Sequence, residues 1–302
     1  MSEQLVVRIP NRFLRRTMYS LLDNVIDRDL NPKSAHIKFD FRPLTFIEPT
    51  GITILSNLFE WLIKRGTRVT LSYPAQIPSG DHPIKFLDDS GFFKRYLGKE
   101  IREHAAVRQT TMPLEKVSYS NSFQWLNNVF VTWLSNALDV TSESVTDFRV
   151  CLEELFNNIK DHANEDTGCI FAQHYPRNNE VKISISDFGV GIPHNVKLQN
   201  RTFDDAEALL AAIEEGFSTQ STPRNRGVGL HTLVKNVVEH NKGCVYIHSN
   251  NGILSCTSVN NIPMFEANLS ESFYPGTLIE IVLKGENIEQ LYDNEEEFAW
   301  DW

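Results

Sequence analysis

Glu154 and Asn158 lie four residues apart in a stretch whose apolar residues, Val145, Phe148, Leu152, Leu155 and Ile159, recur at helical spacing. On a helical wheel Glu154, Asn158 and His162 form an acid-amide-imidazole row beside that stripe, whereas Glu153 and Asn157, at the same spacing, face away from it. A carboxylate and an amide one turn apart suit phosphoryl chemistry. The amide oxygen is a hard ligand for Mg²⁺, which keeps several waters and takes its other ligands from phosphates. The carboxylate can orient or deprotonate an attacking water or hydroxyl. Such pairs also arise by chance on exposed helices, so the rest of the chain has to decide.

Two glycine motifs downstream do so. Val181, Ile183 and Ile185 alternate with Lys182, Ser184 and Ser186, which predicts a half-buried strand running into Asp187-Phe188-Gly189-Val190-Gly191. A carboxylate at a strand end can accept from an exocyclic amine, and Gly189 and Gly191 let a planar base approach the backbone. Arg226-Gly227-Val228-Gly229-Leu230-His231 then opens a helix running to about Val238. Bare N–H groups and the helix dipole there suit phosphate oxygens. His231 could touch a phosphate and Arg226 could clamp one. The motif is neither a Walker loop nor a dinucleotide fingerprint, since no Gly-Lys-Ser/Thr and no third glycine follow.

The elements that must position these residues are legible too. Residues 192 to 226 separate the motifs and hold a predicted helix, Asp204 to Glu215, and this long connection reads as a lid over bound nucleotide. A hairpin is expected from Cys244–Ser249 and Ile253–Val259 around Asn251-Gly252, then a strand from Gly276-Thr277 to Leu283. An apolar face of Leu126, Val129, Phe130 and Trp133 predicts a further helix. In the first hundred residues, strands at Leu5–Ile9, His36–Phe41 and Arg68–Tyr73 alternate with a helix capped by Thr50 and closed by Gly66, and with a second from Ile84 to about Leu97, broken near Gly91. An amphipathic segment, Arg12 to Ile26, precedes the second strand. This alternation argues for a small α/β layer domain.

The order Glu154-x-x-x-Asn158, Asp187-x-Gly189-x-Gly191, Gly227-x-Gly229-Leu230, Gly276-Thr277 resembles the Bergerat (GHKL) ATP-binding fold of gyrase, the ninety-kilodalton heat-shock chaperone, sensor histidine kinases and the mismatch-repair ATPase. The resemblance implies ATP and Mg²⁺ as cofactors. Asp187 would bind the adenine amino group with Thr277 in support, Asn158 would ligate Mg²⁺ and Glu154 would be the general base. Gly227, Gly229 and Leu230 would lie at the phosphates. His162 and Glu215-Gly216-Phe217-Ser218-Thr219 look most like the anti-sigma-factor serine kinase branch. The run from Pro43 to Ile52 resembles the strand-to-helix loop of STAS domains, which partner that branch. Its loop reads Glu48-Pro49-Thr50-Gly51, so Pro49 replaces the usual phosphate-accepting serine; Thr50 is left as a possible acceptor, with helix capping its expected role.

The expected fold class is therefore α/β of the α+β sandwich kind. A STAS-like domain (1–104) would precede a Bergerat-fold domain (105–285) with helices on one face of a mixed sheet, then an acidic aromatic tail (286–302). That tail carries seven acids and no Lys or Arg, against a net charge of −10 for the chain. It reads as a solvated terminus, with a docking segment as the alternative. The nearly neutral remainder offers no basic field for nucleic acid or anionic lipid. Four cysteines without a Cys-x-x-Cys pair, and an N-terminus without a signal-peptide core, point to a cytoplasmic protein with reduced thiols. A sensor histidine kinase, or a gyrase- or chaperone-like machine, is not expected, for want of a phospho-acceptor helix pair or a transducer domain. The function expected is a Mg-ATP-dependent regulatory switch, with slow ATP hydrolysis left open. The alternatives are a Ser/Thr kinase of the anti-sigma-factor type acting on a STAS-type partner and a non-catalytic ATP-binding scaffold. A regulatory protein partner, STAS-type or sigma-factor-like, is implied, and whether the chain forms a homodimer stays open.

Overall fold

The computed structural model describes residues 4–118, 122–162, 167–215 and 229–291. In chain order the N-terminal unit comprises β1 (Leu5–Arg8), β2 (Arg12–Phe13), α1 (Met18–Val25), β3 (His36–Asp40), β4 (Phe46–Ile47), α2 (Pro49–Lys64), β5 (Arg68–Ser72), α3 (Pro83–Asp89) and α4 (Phe92–Leu97). Three parallel strands in the order β1-β3-β5 form its sheet, and α1 and α2 supply the crossovers that parallel pairing requires. The Arg12–Ile26 segment resolves into β2, a 3₁₀ turn and α1, which buries Met18, Leu21, Leu22 and Val25 at i, i+3, i+4 and i+7. Gly66 follows α2 at φ 77° and Gly91 separates α3 from α4 at φ 84°. Both are left-handed positions that glycine adopts without strain.

The C-terminal unit adds β6 (Glu115–Ser118), α5 (Ser122–Trp125), α6 (Val131–Leu138), α7 (Thr146–His162), β7 (Thr167–Tyr175), β8 (Glu180–Asp187), α8 (Ile192–Gln199), α9 (Asp205–Ala212), α10 (Gly229–Lys235), β9 (Cys244–Val259) and β10 (Ile262–Lys284). A π-turn joins α5 to α6 and turns Val129 outward, so Val131 and Leu134 join Leu126 and Phe130 on the core side. The sheet order is β6-β7-β8-β10-β9, and every pairing is antiparallel rather than mixed. Helices α7 and α10 pack together in one core that includes Phe148, Leu152, Leu233 and Ile281.

Three expectations change on this frame. First, β9 does not turn at Asn251-Gly252. It runs unbroken to Val259, and the two-residue turn is Asn260-Asn261, with φ of 52° and 64°, the double positive φ of a tight hairpin. Leu254 and Cys256 are fully buried and keep the strand going. A side chain at Gly252 would meet the Asp205 backbone, with the carbonyl carbon at 2.8 Å. That glycine serves a close approach to α9, not a turn. Second, the described part of the 192–226 connection, residues 192–215, holds two helices instead of one, while residues 216–226 of the expected lid lie outside the described residues. α8 follows Gly191 directly, and α9 is held by a reciprocal capping box between Asp204 and Glu207. Third, Thr50 neither caps α2 nor reaches solvent. Glu48 occupies the N-cap and Pro49 the first turn, while the Thr50 hydroxyl, 2% exposed, donates to Glu280 of β10.

That last contact belongs to a larger feature. α2 is buried on nearly all sides because it lies between the two sheets. Its apolar side, including Leu55, Phe59 and Leu62, covers its own strands. A second stripe, Thr50, Thr53, Asn57 and Trp61, follows helical spacing and meets the C-terminal sheet. Thr53 Oγ1 donates to the Ser184 carbonyl at 3.4 Å and Asn57 Nδ2 to Ser186 Oγ at 3.0 Å. Phe171, Phe188, Tyr274 and Leu278 consequently share a core with the N-terminal unit. So β8, expected to be half-buried, is covered on both faces, and Ser184 and Ser186 are fully buried.

His248 of β9 also lies at this junction. Tyr19 of α1 bonds its Nδ1 at 2.9 Å, and Tyr274 packs against its ring. Burial pushes its pKa down to about 4, against the opposing pull of backbone hydrogen bonds at Asn250 and Ser272 and with nearby Arg15 lowering it further. The unfolded chain, with an ordinary value of 6.5, therefore takes up this proton first on acidification. The histidine's share of stability is intact above pH 6.5 and lost as pH falls from there to about 4, a loss on the order of 3 kcal/mol. His82, His174 and His240 are lowered as well, so the check is a comparison. In urea melts between pH 4 and 7, His248→Gln should show a visibly shallower pH dependence than the parent chain. Asp40 acts elsewhere. Arg42 holds its carboxyl down to about 2, so its contribution fades only below pH 3.8.

Candidate functional site

Asp187 is the last residue of β8, and Thr277 of β10 stands directly opposite it. Thr277 is in turn opposite Ser249 of β9. An acid and two hydroxyl residues thus form one row across three neighbouring strands, all 5% exposed or less. Asp187 Oδ1 accepts the Gly189 N–H at 2.8 Å, which curls the chain back at the strand end. Ser249 ties the row together. Its Oγ lies 3.0 Å from Thr277 Oγ1, donates to the Gly276 carbonyl at 2.8 Å and accepts the Ile192 N–H at 2.9 Å.

Two glycines make this geometry possible. Gly276 has φ 82°, and a Cβ there would lie 2.6 Å from Gly189 N and 2.7 Å from Phe188 Cα. Gly191 has φ 85°, and a Cβ there would lie 2.7 Å from Asn250 Oδ1 and 2.8 Å from Ser249 Oγ. Asn250 also donates to the Val190 carbonyl at 3.3 Å. The Asp187–Gly191 turn is consequently gripped by β9 and β10: its backbone leaves no room for a side chain at Gly276, and the Asn250 and Ser249 side chains crowd the position at Gly191.

Asp187, Gly189, Gly191 and Thr277 come together at this end of the sheet. Gly229 and Leu230 open α10 and are buried, with Leu230 in the core that α7 shares. His231 Nδ1 pairs with the Ile213 carbonyl just past α9 at 2.9 Å, which fixes its ring against that helix. Glu154 and Asn158 fall one turn apart on α7; their side chains and that of His162 lie outside the described residues, as do Gly227, Arg226 and Phe217-Ser218-Thr219. Among the described residues no group of three His, Cys, Asp or Glu could hold a metal ion, and no helix is long and apolar enough to cross a membrane.

This is a buried carboxylate ending a strand, in a row with two hydroxyl residues, with a glycine-led helix later in the chain. Residues 143–266 match the family described as Histidine kinase-, DNA gyrase B-, and HSP90-like ATPase. The match supports an ATP-binding domain of the histidine-kinase-like kind in this part of the chain. It takes in Glu154, Asn158, Asp187, Gly189, Gly191, Gly227, Gly229 and Leu230 and stops short of Thr277. Thr277 lies outside the matched residues and stands opposite Asp187 in the strand pairing. No curated protein matches the chain.

Ser249 and Asn250 are the residues that sequence reading passed over. Ser249 ends a run of alternating residues in which Val245 and Ile247 point to the core, and only its register with Thr277 reveals its place. Asn250 carries φ 54°, a conformation that asparagine tolerates better than most residues.

Proposed function

We propose that the chain is a Mg-ATP-binding regulatory protein, a nucleotide-dependent switch built from a STAS-like N-terminal domain and a Bergerat-fold domain of the anti-sigma-factor kinase branch. The observation that carries the reading is the Asp187–Thr277 pair at the sheet end, inside and beside a stretch matching an ATPase family. A buried carboxylate flanked by glycine backbone fits the amino edge of adenine. Asp187 would bind that edge with Thr277 in support, the start of α10 would meet the phosphates and Asn158 would hold Mg²⁺. The ion, when bound, offsets phosphate charge. Glu154 would be the base that orients an attacking water or hydroxyl.

The N-terminal unit supports a regulatory role through its position. Its central helix is seated on the sheet that carries Asp187. The loop that would accept phosphate in a STAS domain lies inside this contact, with Thr50 bonded to Glu280. The unit therefore presents no acceptor hydroxyl there to an outside kinase. A regulatory partner of STAS or sigma-factor type would have to dock on other surfaces.

Incubation with ATP labelled at the γ-phosphate separates the readings. Free phosphate supports the ATPase switch, label on an added STAS-type protein supports a Ser/Thr kinase, and binding without either supports a scaffold. Glu154→Ala is expected to leave ADP affinity within twofold and to slow turnover by about a hundredfold. Equal loss of binding and turnover would remove Glu154 from the base role.

A further inference from the structure

Asp187 is held from behind by the N-terminal unit, at both of its sequence neighbours. Ser186 Oγ accepts from Asn57 of α2 at 3.0 Å and lies 2.6 Å from the Tyr274 hydroxyl. Phe188 meets the edge of Trp61, one turn further along α2, with ring centroids 6.1 Å apart and planes at 73°. Phe188 also packs on Tyr274 at 5.6 Å and 82°. Tyr274 is fully buried, Trp61 is 5% exposed and Phe188 is 7% exposed. Arg65 closes the outer side of Trp61, its guanidinium 4.1 Å from the ring centre.

These contacts form a closed set. Asn57 and Trp61 sit four apart on one face of α2, and Ser186, in β8, and Phe188, the first residue past its end, flank Asp187 and both meet that face. The helix spacing is about 6 Å and two extended residues span about 6.6 Å, so the two pairs match in reach. A rigid helix therefore registers against the strand at two points with Asp187 between them. Because Ser186 and Phe188 point to the α2 side of the sheet, Asp187 points to the other. A shift of α2 along β8 would re-aim the carboxylate and the Gly189 N–H bonded to it.

We infer that Asn57 and Trp61 are positioning residues for nucleotide binding, acting through Ser186 and Phe188 to hold Asp187, so that the seating of α2 and the occupancy of the site are one equilibrium. The inference rests on the ATP-binding reading above. It gives the N-terminal unit a physical route to the site, through packed groups with no contact to the ligand. Coupling of this kind is reciprocal: whatever α2 contributes to affinity, the nucleotide returns as protection of α2.

The test uses the full chain, with ADP as the probe, in calorimetry and hydrogen exchange. ADP is expected to slow amide exchange in residues 55–62 of α2, although none of them belongs to the proposed nucleotide site. Trp61→Ala and Asn57→Ala should each weaken ADP binding by about tenfold, and Trp61→Phe, which keeps a ring edge on Phe188, should recover most of the loss. A merely structural role would lower the melting temperature without moving affinity or the ADP-dependent exchange of α2. Affinities within twofold of the parent, together with unchanged exchange in α2, would overturn the inference and leave the nucleotide site standing. Failure of the parent chain to bind ADP would instead remove the reading beneath it, and the inference with it. Should Trp61→Ala not fold, Asn57→Ala, Trp61→Phe and exchange on the parent chain still decide.

Discussion

Asp187→Asn is expected to weaken ADP binding by about a hundredfold while the chain stays folded. The carboxylate accepts the Gly189 N–H through one oxygen and, in the proposed site, an amino group of the base through the other. An amide can do only one of these. With its oxygen on Gly189 it turns an NH₂ toward the ligand's own donor. With the oxygen on the ligand it faces the Gly189 N–H with a second donor. Losing a charge-assisted bond and gaining an unsatisfied donor is worth about 3 kcal/mol, or roughly a hundredfold in affinity. Calorimetry with ADP measures this directly, and circular dichroism checks the fold. Parent-like affinity in the folded variant would show that Asp187 does not read the base.

Gly276→Ala should have the largest effect on stability. At φ 82° alanine is strained, and its Cβ would lie 2.6 Å from Gly189 N and 2.7 Å from Phe188 Cα, both main-chain atoms that cannot rotate aside. Strain and overpacking together come to about 3 kcal/mol, a fall in melting temperature of roughly 5–10 °C. Gly66→Ala provides the control, because Gly66 has nearly the same φ, 77°, and nothing within 4 Å. It should cost only the backbone part, about 1 kcal/mol. Equal melting temperatures for the two variants would mean that β10 and the Asp187 turn are not in close contact. If the turn instead shifts to make room, Gly276→Ala should also weaken ADP binding, which Gly66→Ala should not.

Much of this arrangement was legible in the residues, and the parts that were not share a cause. Periodicity located β1, β3, β5, α2, α7 and β8 to within a residue or two, because each commits one face to a core. The acid at the end of β8 and the glycine pairs were visible by type alone. The Ser184/Ser186 face of β8 read as solvent-facing because serine is at home in water, but here it is met by Thr53 and Asn57. Small polar residues packed across an interface, bonding a main-chain carbonyl as Thr53 does or a hydroxyl as Asn57 does, carry no hydrophobic signal, and their pairing is set by contacts more than a hundred residues apart. The hairpin was misplaced for a related reason. Asn251-Gly252 has the chemistry of a tight turn, yet Gly252 is needed for the approach of α9, and the turn falls to Asn260-Asn261. α8 was overlooked because Gly191-Ile192-Pro193 reads as a loop, while proline fits the first turn of a helix well.

The same mutual polarity bears on how the chain is made. α2 leaves the ribosome well over a hundred residues before β8 and more than two hundred before the end of β10, so its outer stripe waits for its cover on the order of tens of seconds. An all-leucine stripe would spend that interval inviting aggregation. Thr50, Thr53 and Asn57 can each be hydrated by water in the meantime and later exchange that water for Glu280, Ser184 and Ser186. Only Trp61, at the end of the row, is left to be shielded by Arg65 until Phe188 is synthesised.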